Sequence, residues 1–167
     1  MKKTHLIASL VTLALLLVSS LALAASTTAT LTITATMNAQ AKLTLSSSTI
    51  NFPDADPDTT PSIAATEGAV SVTAKVRTGA ASTATLTLLA ASDMTSGTNN
   101  IGISNVTWAA GGPGFAAGTM NKTTDQTVGS WTGSGNRTGT LTFSLANSWS
   151  YATGSYSATS TFTLTAP

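Results

Sequence analysis

Apolar residues in this chain fall at alternate positions far more often than at helical spacing, and threonine and serine are abundant between them. ATLTITATM (Ala29 to Met37) is the purest example. Leu31, Ile33, Ala35 and Met37 fall on one side and four threonines on the other. A period of two built from β-branched residues selects pleated strands over helices, because successive side chains of a strand point to opposite faces. Threonine supplies 34 of the 167 residues, so this patterning governs the whole chain.

The same alternation marks strands at Ala41 to Leu45, Thr49 to Phe52, Ala69 to Val76, Thr83 to Ala90, Ile103 to Ala110, Thr138 to Ala146 and Ser155 to Ala166. Shorter runs at FAAGTM and QTVGSW add two candidates. The clusters DADPDTTP, RTGA, SDMTSGTNN, GGPG, GSGNRTG and YATG separate them as turns. Seven to ten short strands at this spacing predict an all-β fold, a single antiparallel β-sandwich of immunoglobulin-like type with one solvated face per sheet. No 20-to-50-residue repeat interrupts the reading. A threonine-rich, mucin-like stalk is the alternative, but Trp108, Trp131, Trp149 and the aliphatic alternation supply core material that disordered chains lack.

The first 24 residues have basic Lys2 and Lys3, an apolar run from Leu6 to Val18, and small residues at Ala22 and Ala24. This is the pattern of a cleaved secretory signal peptide. The run is shorter than the roughly 20 residues a membrane span needs. A mature chain Ala25 to Pro167 is expected outside the cytoplasm, secreted or at the cell surface with the periplasm in transit, and not membrane-spanning. It divides into an N-terminal strand segment, residues 25–40, and a sandwich domain, residues 41–167.

Five cations (Lys42, Lys75, Arg77, Lys122, Arg137) then face six carboxylates (Asp54, Asp56, Asp58, Glu67, Asp93, Asp125), a net charge of 5 − 6 = −1. No basic stripe exists to neutralise phosphates, so nucleic acid is not an expected partner. The mature chain has neither cysteine nor histidine. Imidazole-based triads, thiolate nucleophiles and histidine or cysteine zinc sites are therefore excluded. No enzyme activity, catalytic residue or cofactor is expected.

Asp54, Asp56 and Asp58 in INFPDADPDTTP alternate as a calcium loop begins, yet Thr59 and Ala65 stand where an EF-hand needs glycine and glutamate. An irregular calcium loop and a plain Asp-Pro turn both fit, and the turn, with no metal, is the expectation. Asn105, Asn121 and Asn136 each open an Asn-x-Thr triplet that fits a glycan acceptor. Trp108, Trp131, Trp149, Tyr151 and Tyr156 suit either a core or a sugar-stacking surface.

TATLTITATMNAQAKLTLSSSTINF near the mature N-terminus and GSYSATSTFTLTAP at the C-terminus resemble the two ends of secreted pilin-like sandwiches, the spore coat protein U type and archaic chaperone-usher pilins. The chain departs from that pattern in lacking a cysteine near Asn38 to Lys42 and in having Pro53 after Phe52. The resemblance implies a structural subunit of a fibre, pilus or surface coat. Its N-terminal strand, through Leu31, Ile33, Ala35 and Met37, would complete a neighbour's sandwich, giving a homopolymer with a periplasmic chaperone and secretion partner. Alternation alone fits equally a strand folded into its own domain. The alternative function is a monomeric extracellular binding module, for carbohydrate or a surface ligand, using Trp108 or Trp149.

Overall fold

A computed structural model describes residues Ala24–Pro167; the signal-peptide reading of residues 1–24 falls outside them except at Ala24. The chain forms two units, divided after Thr36. In the first, Ala24–Thr36 carries no helix, turn or strand, and every residue is exposed. The strand expected over Ala29 to Met37 is thus absent as a paired element. The alternation is present but lacks a ladder, and backbone N–H and C=O groups without a neighbouring strand have only water to bond.

The second unit, Met37–Pro167, is all-β and built from antiparallel sheets. Its strands are β1 (Gln40–Leu45), β2 (Ser62–Arg77), β3 (Thr83–Ala90), β4 (Met94–Ser96), β5 (Asn99–Ile101), β6 (Val106–Gly111), β7 (Gly118–Thr119), β8 (Gln126–Thr132), β9 (Gly135–Ala146) and β10 (Ser160–Thr165). One sheet runs β1-β2-β9-β6-β7 and a second β10-β3-β8, with β4-β5 as a small hairpin. A single apolar cluster takes side chains from both larger sheets, including Val72, Leu141 and Phe143 from the first and Leu86, Leu88 and Val128 from the second. The arrangement is sandwich-like. Among the described residues no helix is long and apolar enough to cross a membrane.

Alternation is faithful where nothing interrupts it. In β3, Ala84, Leu86, Leu88 and Ala90 are all 1% exposed or less, while Thr83, Thr85 and Thr87 turn outward. Cross-strand register lines these threonines into rungs, Thr163–Thr87–Thr127 and Thr165–Thr85–Ser130 on one sheet and Thr44–Thr73–Thr138 on the other.

Two interruptions change phase. In β2 the inward residues are Ile63 and Ala65 before Gly68 but Val70, Val72 and Ala74 after it. The pairing with β9 shifts between Ala64 and Ala69, and Gly68 takes φ +64°. A bulge with a left-handed glycine absorbs the odd offset, so the strand keeps an apolar inner face on both sides. β8 makes a second shift opposite Leu86 and Thr87, which brings both Val128 and Trp131 inward although they are three apart.

The bulge also explains why Thr49 to Phe52, expected as a strand, is not one. Its Asn51 pairs with the bulge itself: Thr66 N–H donates to Asn51 O (2.9 Å), and Asn51 N–H donates to the Glu67 carboxylate (2.8 Å). The expected strand at Ile103 to Ala110 begins in a 3-10 turn (Ile103–Asn105), and that at Ser155 to Ala166 contracts to β10. FAAGTM contributes only β7, and SDMTSGTNN, read as a turn, contains the β4-β5 hairpin around Gly97 at φ +59°.

Candidate functional site

The two larger sheets meet at two rims that differ sharply. At the β7/β8 rim the loop after β6 is sewn to β8: Ala116 N–H donates to Val128 O (2.8 Å), Ser130 N–H to Gly114 O (2.9 Å), and Phe115 bridges Gly129. Beneath it Trp108 and Trp131 donate their indole N–H groups to Ala116 O and Pro113 O (2.8 and 2.9 Å), and Phe115 meets Trp131 edge-on, with centroids 4.9 Å apart. Backbone groups and aromatic rings together close this side.

At the other rim, β1 and β10 lie against each other, one from each sheet. Among the described residues no backbone hydrogen bond joins them, and each pairs on one side only, β1 with β2 and β10 with β3. Leu43 and Leu45 sit opposite Ala74 and Val72, and Phe162 and Leu164 sit opposite Leu88 and Leu86. Those four partners are 0 to 1% exposed. Leu43, Leu45, Phe162 and Leu164 face the same core yet stay half-buried. Both layers end here on free strand edges with partly covered apolar side chains, the condition natural sheets usually shield.

Of the residues singled out as a subunit interface, Leu31 and Ile33 are each 85% exposed, Met37 is 71% exposed, and Ala35 is exposed. Sequence reading did not single out the half-buried rim residues Leu43, Leu45, Phe162 and Leu164. Their alternation was legible, but it is the same for a buried strand and for a rim strand.

Asp54, Asp56 and Asp58 lie in an exposed turn. Asp56 Oδ1 accepts Asp58 N–H (2.9 Å) and Asp56 O accepts Thr60 N–H (2.8 Å), an Asx-type turn, while Asp58 Oδ1 accepts the Trp149 indole N–H (3.0 Å). Among the described residues no three acidic, histidine or cysteine side chains gather into a metal-binding group. Of the sequons, Asn105 sits in the 3-10 turn, Asn121 uses its side-chain oxygen to accept Thr123 and Thr124 N–H groups, and Asn136 is exposed on β9. Trp108, offered as a ligand-binding aromatic, is 2% exposed and belongs to the core; Trp149 is 70% exposed.

Two carboxylates tie loops to the sheets. Asp93 pairs with Lys122 and accepts Ile103 N–H (2.9 Å), and Lys122 is the first cause holding its pKa below the ordinary aspartate range. Glu67 is held low first by the Asn51 backbone N–H and then by the Asn51 amide. Both shifts are downward, so their stabilisation is complete above the unfolded carboxylate pKa and disappears as pH falls through the lower folded values. The melting temperature should be level through neutral pH and drop below about pH 4, where free carboxylates protonate. The double variant Asp93→Asn, Glu67→Gln should show a shallower drop in a pH-resolved thermal scan; an unchanged acid limb would assign it elsewhere.

Compared with protein-family models, with curated proteins and with solved structures, the chain matches none.

Proposed function

We propose that the protein is a structural subunit of an extracellular fibre, pilus or surface coat, with a pilin-like, immunoglobulin-like sandwich that is one strand short. The segment Ala29 to Met37 of one copy adds as a strand at the β1/β10 rim of the next. The observation that carries this reading is complementarity between two halves of one chain's inventory. The second unit has a rim with free edges and half-covered Leu43, Leu45, Phe162 and Leu164, and the first supplies an unpaired segment whose Leu31 and Ile33 are 85% exposed.

Strand addition satisfies both. Main-chain hydrogen bonds supply affinity, while alternate side chains entering the layer between the sheets fix register. The contact joins two different surfaces, so it propagates head to tail and yields an open filament, not a closed ring. A copy awaiting its neighbour exposes an aggregation-prone rim, which gives a periplasmic chaperone and a secretion partner their role.

Residues 25–167 should form filaments visible by electron microscopy, and deletion of residues 26–37 should leave a folded species that light scattering sizes as a monomer. A peptide spanning residues 28–38 should then raise that monomer's melting temperature. A full-length mature chain that stays monomeric and unfolds on the deletion would overturn the proposal.

A further inference from the structure

We propose that Trp149 is the stacking platform of a glycan-binding site on the loop between β9 and β10, with Asp58 as a hydroxyl acceptor beside it. Trp108 and Trp131 are buried and donate to backbone carbonyls, whereas Trp149 is 70% exposed and its indole N–H goes to a side chain on another loop, Asp58 Oδ1, at 3.0 Å. One edge of the ring is tethered and the rest meets solvent.

The support under the ring is dense. Asn147 N–H donates to Pro61 O (2.9 Å), and the Asn147 amide donates to both Ala55 O (2.9 Å) and Thr60 O (3.0 Å), locking the Trp149 loop to the Asp56–Asp58 turn. Ser148 Oγ accepts Ser150 N–H (3.1 Å) and bonds Ser150 Oγ (2.8 Å), and Tyr151 N–H donates to Ser148 O (3.2 Å). An exposed tryptophan on a mobile loop would lose conformational freedom on binding; here the hydrogen bonds have already fixed it, the preorganisation that lets a small contact bind.

The chemistry around the ring selects the ligand class. A pyranose has an apolar C–H face that suits the flat, electron-rich indole, and hydroxyl donors around its rim. Asp58 uses Oδ1 for the indole, and among the described residues Oδ2 has no hydrogen-bond partner and no cation pairs with it. A carboxylate oxygen at the border of the ring is an acceptor for such hydroxyls, and charge-assisted bonds of this kind are the stronger ones.

The test uses the mature chain, residues 25–167, whatever its state of assembly, on a microarray of neutral, amino and N-acetylated oligosaccharides, followed by titration with the strongest neutral hit. Acrylamide quenching reads the site directly, because Trp149 is the exposed indole among three. Sugar should protect the exposed fluorescence, Trp149→Ala should cut array binding at least tenfold with an unchanged melting temperature, and Asp58→Asn should cut it several-fold. No neutral hit, or hits that survive Trp149→Ala, would overturn the proposal. So would quenching protection by tetramethylammonium alone, which would assign the ring to cations. Filament formation is read separately by light scattering, so loss of one property leaves the other measurable.

Discussion

Leu31→Asp with Ile33→Asp should abolish filament formation at micromolar concentration while leaving the monomer's melting temperature unchanged. Both side chains are 85% exposed, so the isolated domain loses nothing when they change. At the rim of a neighbour each would bury its apolar surface, worth about 1.5 to 3 kcal/mol apiece. Losing both removes roughly 3 to 6 kcal/mol, about two to four powers of ten in affinity, since about 1.4 kcal/mol is tenfold. Two aspartates driven into an apolar layer add a desolvation cost that disfavours any residual pairing.

The control lies one residue along. Thr32→Asp with Thr34→Asp adds the same charge to the same segment on the opposite parity, the face a donated strand turns to solvent. Those variants should still assemble, as sedimentation or light scattering will show. Equal loss in both pairs would point to charge or general disorder of the segment, and strand donation would fail.

The second large effect concerns the closed rim. Trp131→Ala should cost about 3 to 5 kcal/mol, the usual range for emptying a buried tryptophan site. For a domain of this size that is a fall in melting temperature on the order of 10 to 20 °C. Trp131 is 7% exposed, meets Phe115 edge-on and satisfies Pro113 O, so its removal leaves a void, an unsupported ring and an orphaned carbonyl together.

The ring fits because glycines make room for it. A Cβ at Gly129 would run into the six-membered ring of Trp131, and one at Gly114, where φ is +79°, would strike its indole nitrogen. Gly118 makes the same space under Trp108, and Gly139 under Phe115. Gly129→Ala alone should therefore destabilise by about 1 to 3 kcal/mol through overpacking. In the Trp131→Ala background the same change should cost little, because the methyl enters the vacated space. Chemical denaturation of the four proteins in this cycle measures the coupling, and strict additivity would refute the socket.

These sockets mark where the sequence stops being readable. GGPGF looks like a turn, which it is, yet nothing in its composition says that Pro113 and Gly114 cradle a tryptophan 18 and 17 residues away. β3 was legible to the residue, Thr83 to Ala90, because its alternation is unbroken. β2 was legible only in its second half: Gly68 reverses the parity, and Ile63 and Ala65 look out of phase until the bulge is known.

The exposed segment Ala29 to Met37 is the opposite case, a perfect strand pattern without a strand. Pattern encodes the ability to pair, and the partner decides whether pairing occurs. Likewise Trp108 follows Thr107 and Trp149 follows Ser148, and only the tertiary fold separates the core residue from the surface one.

The rungs of threonine on the outer faces carry a consequence for the material as a whole. A chain with only five cations and six carboxylates outside its first 24 residues cannot stay dispersed by charge repulsion. Its sides are wetted instead by ranks of hydroxyl groups that neither titrate nor gather counterions. Ionic strength, which screens charged surfaces within about 10 Å at 0.1 M salt, has little here to act upon. A filament clad this way would keep the same hydrated skin in fresh water and in brine.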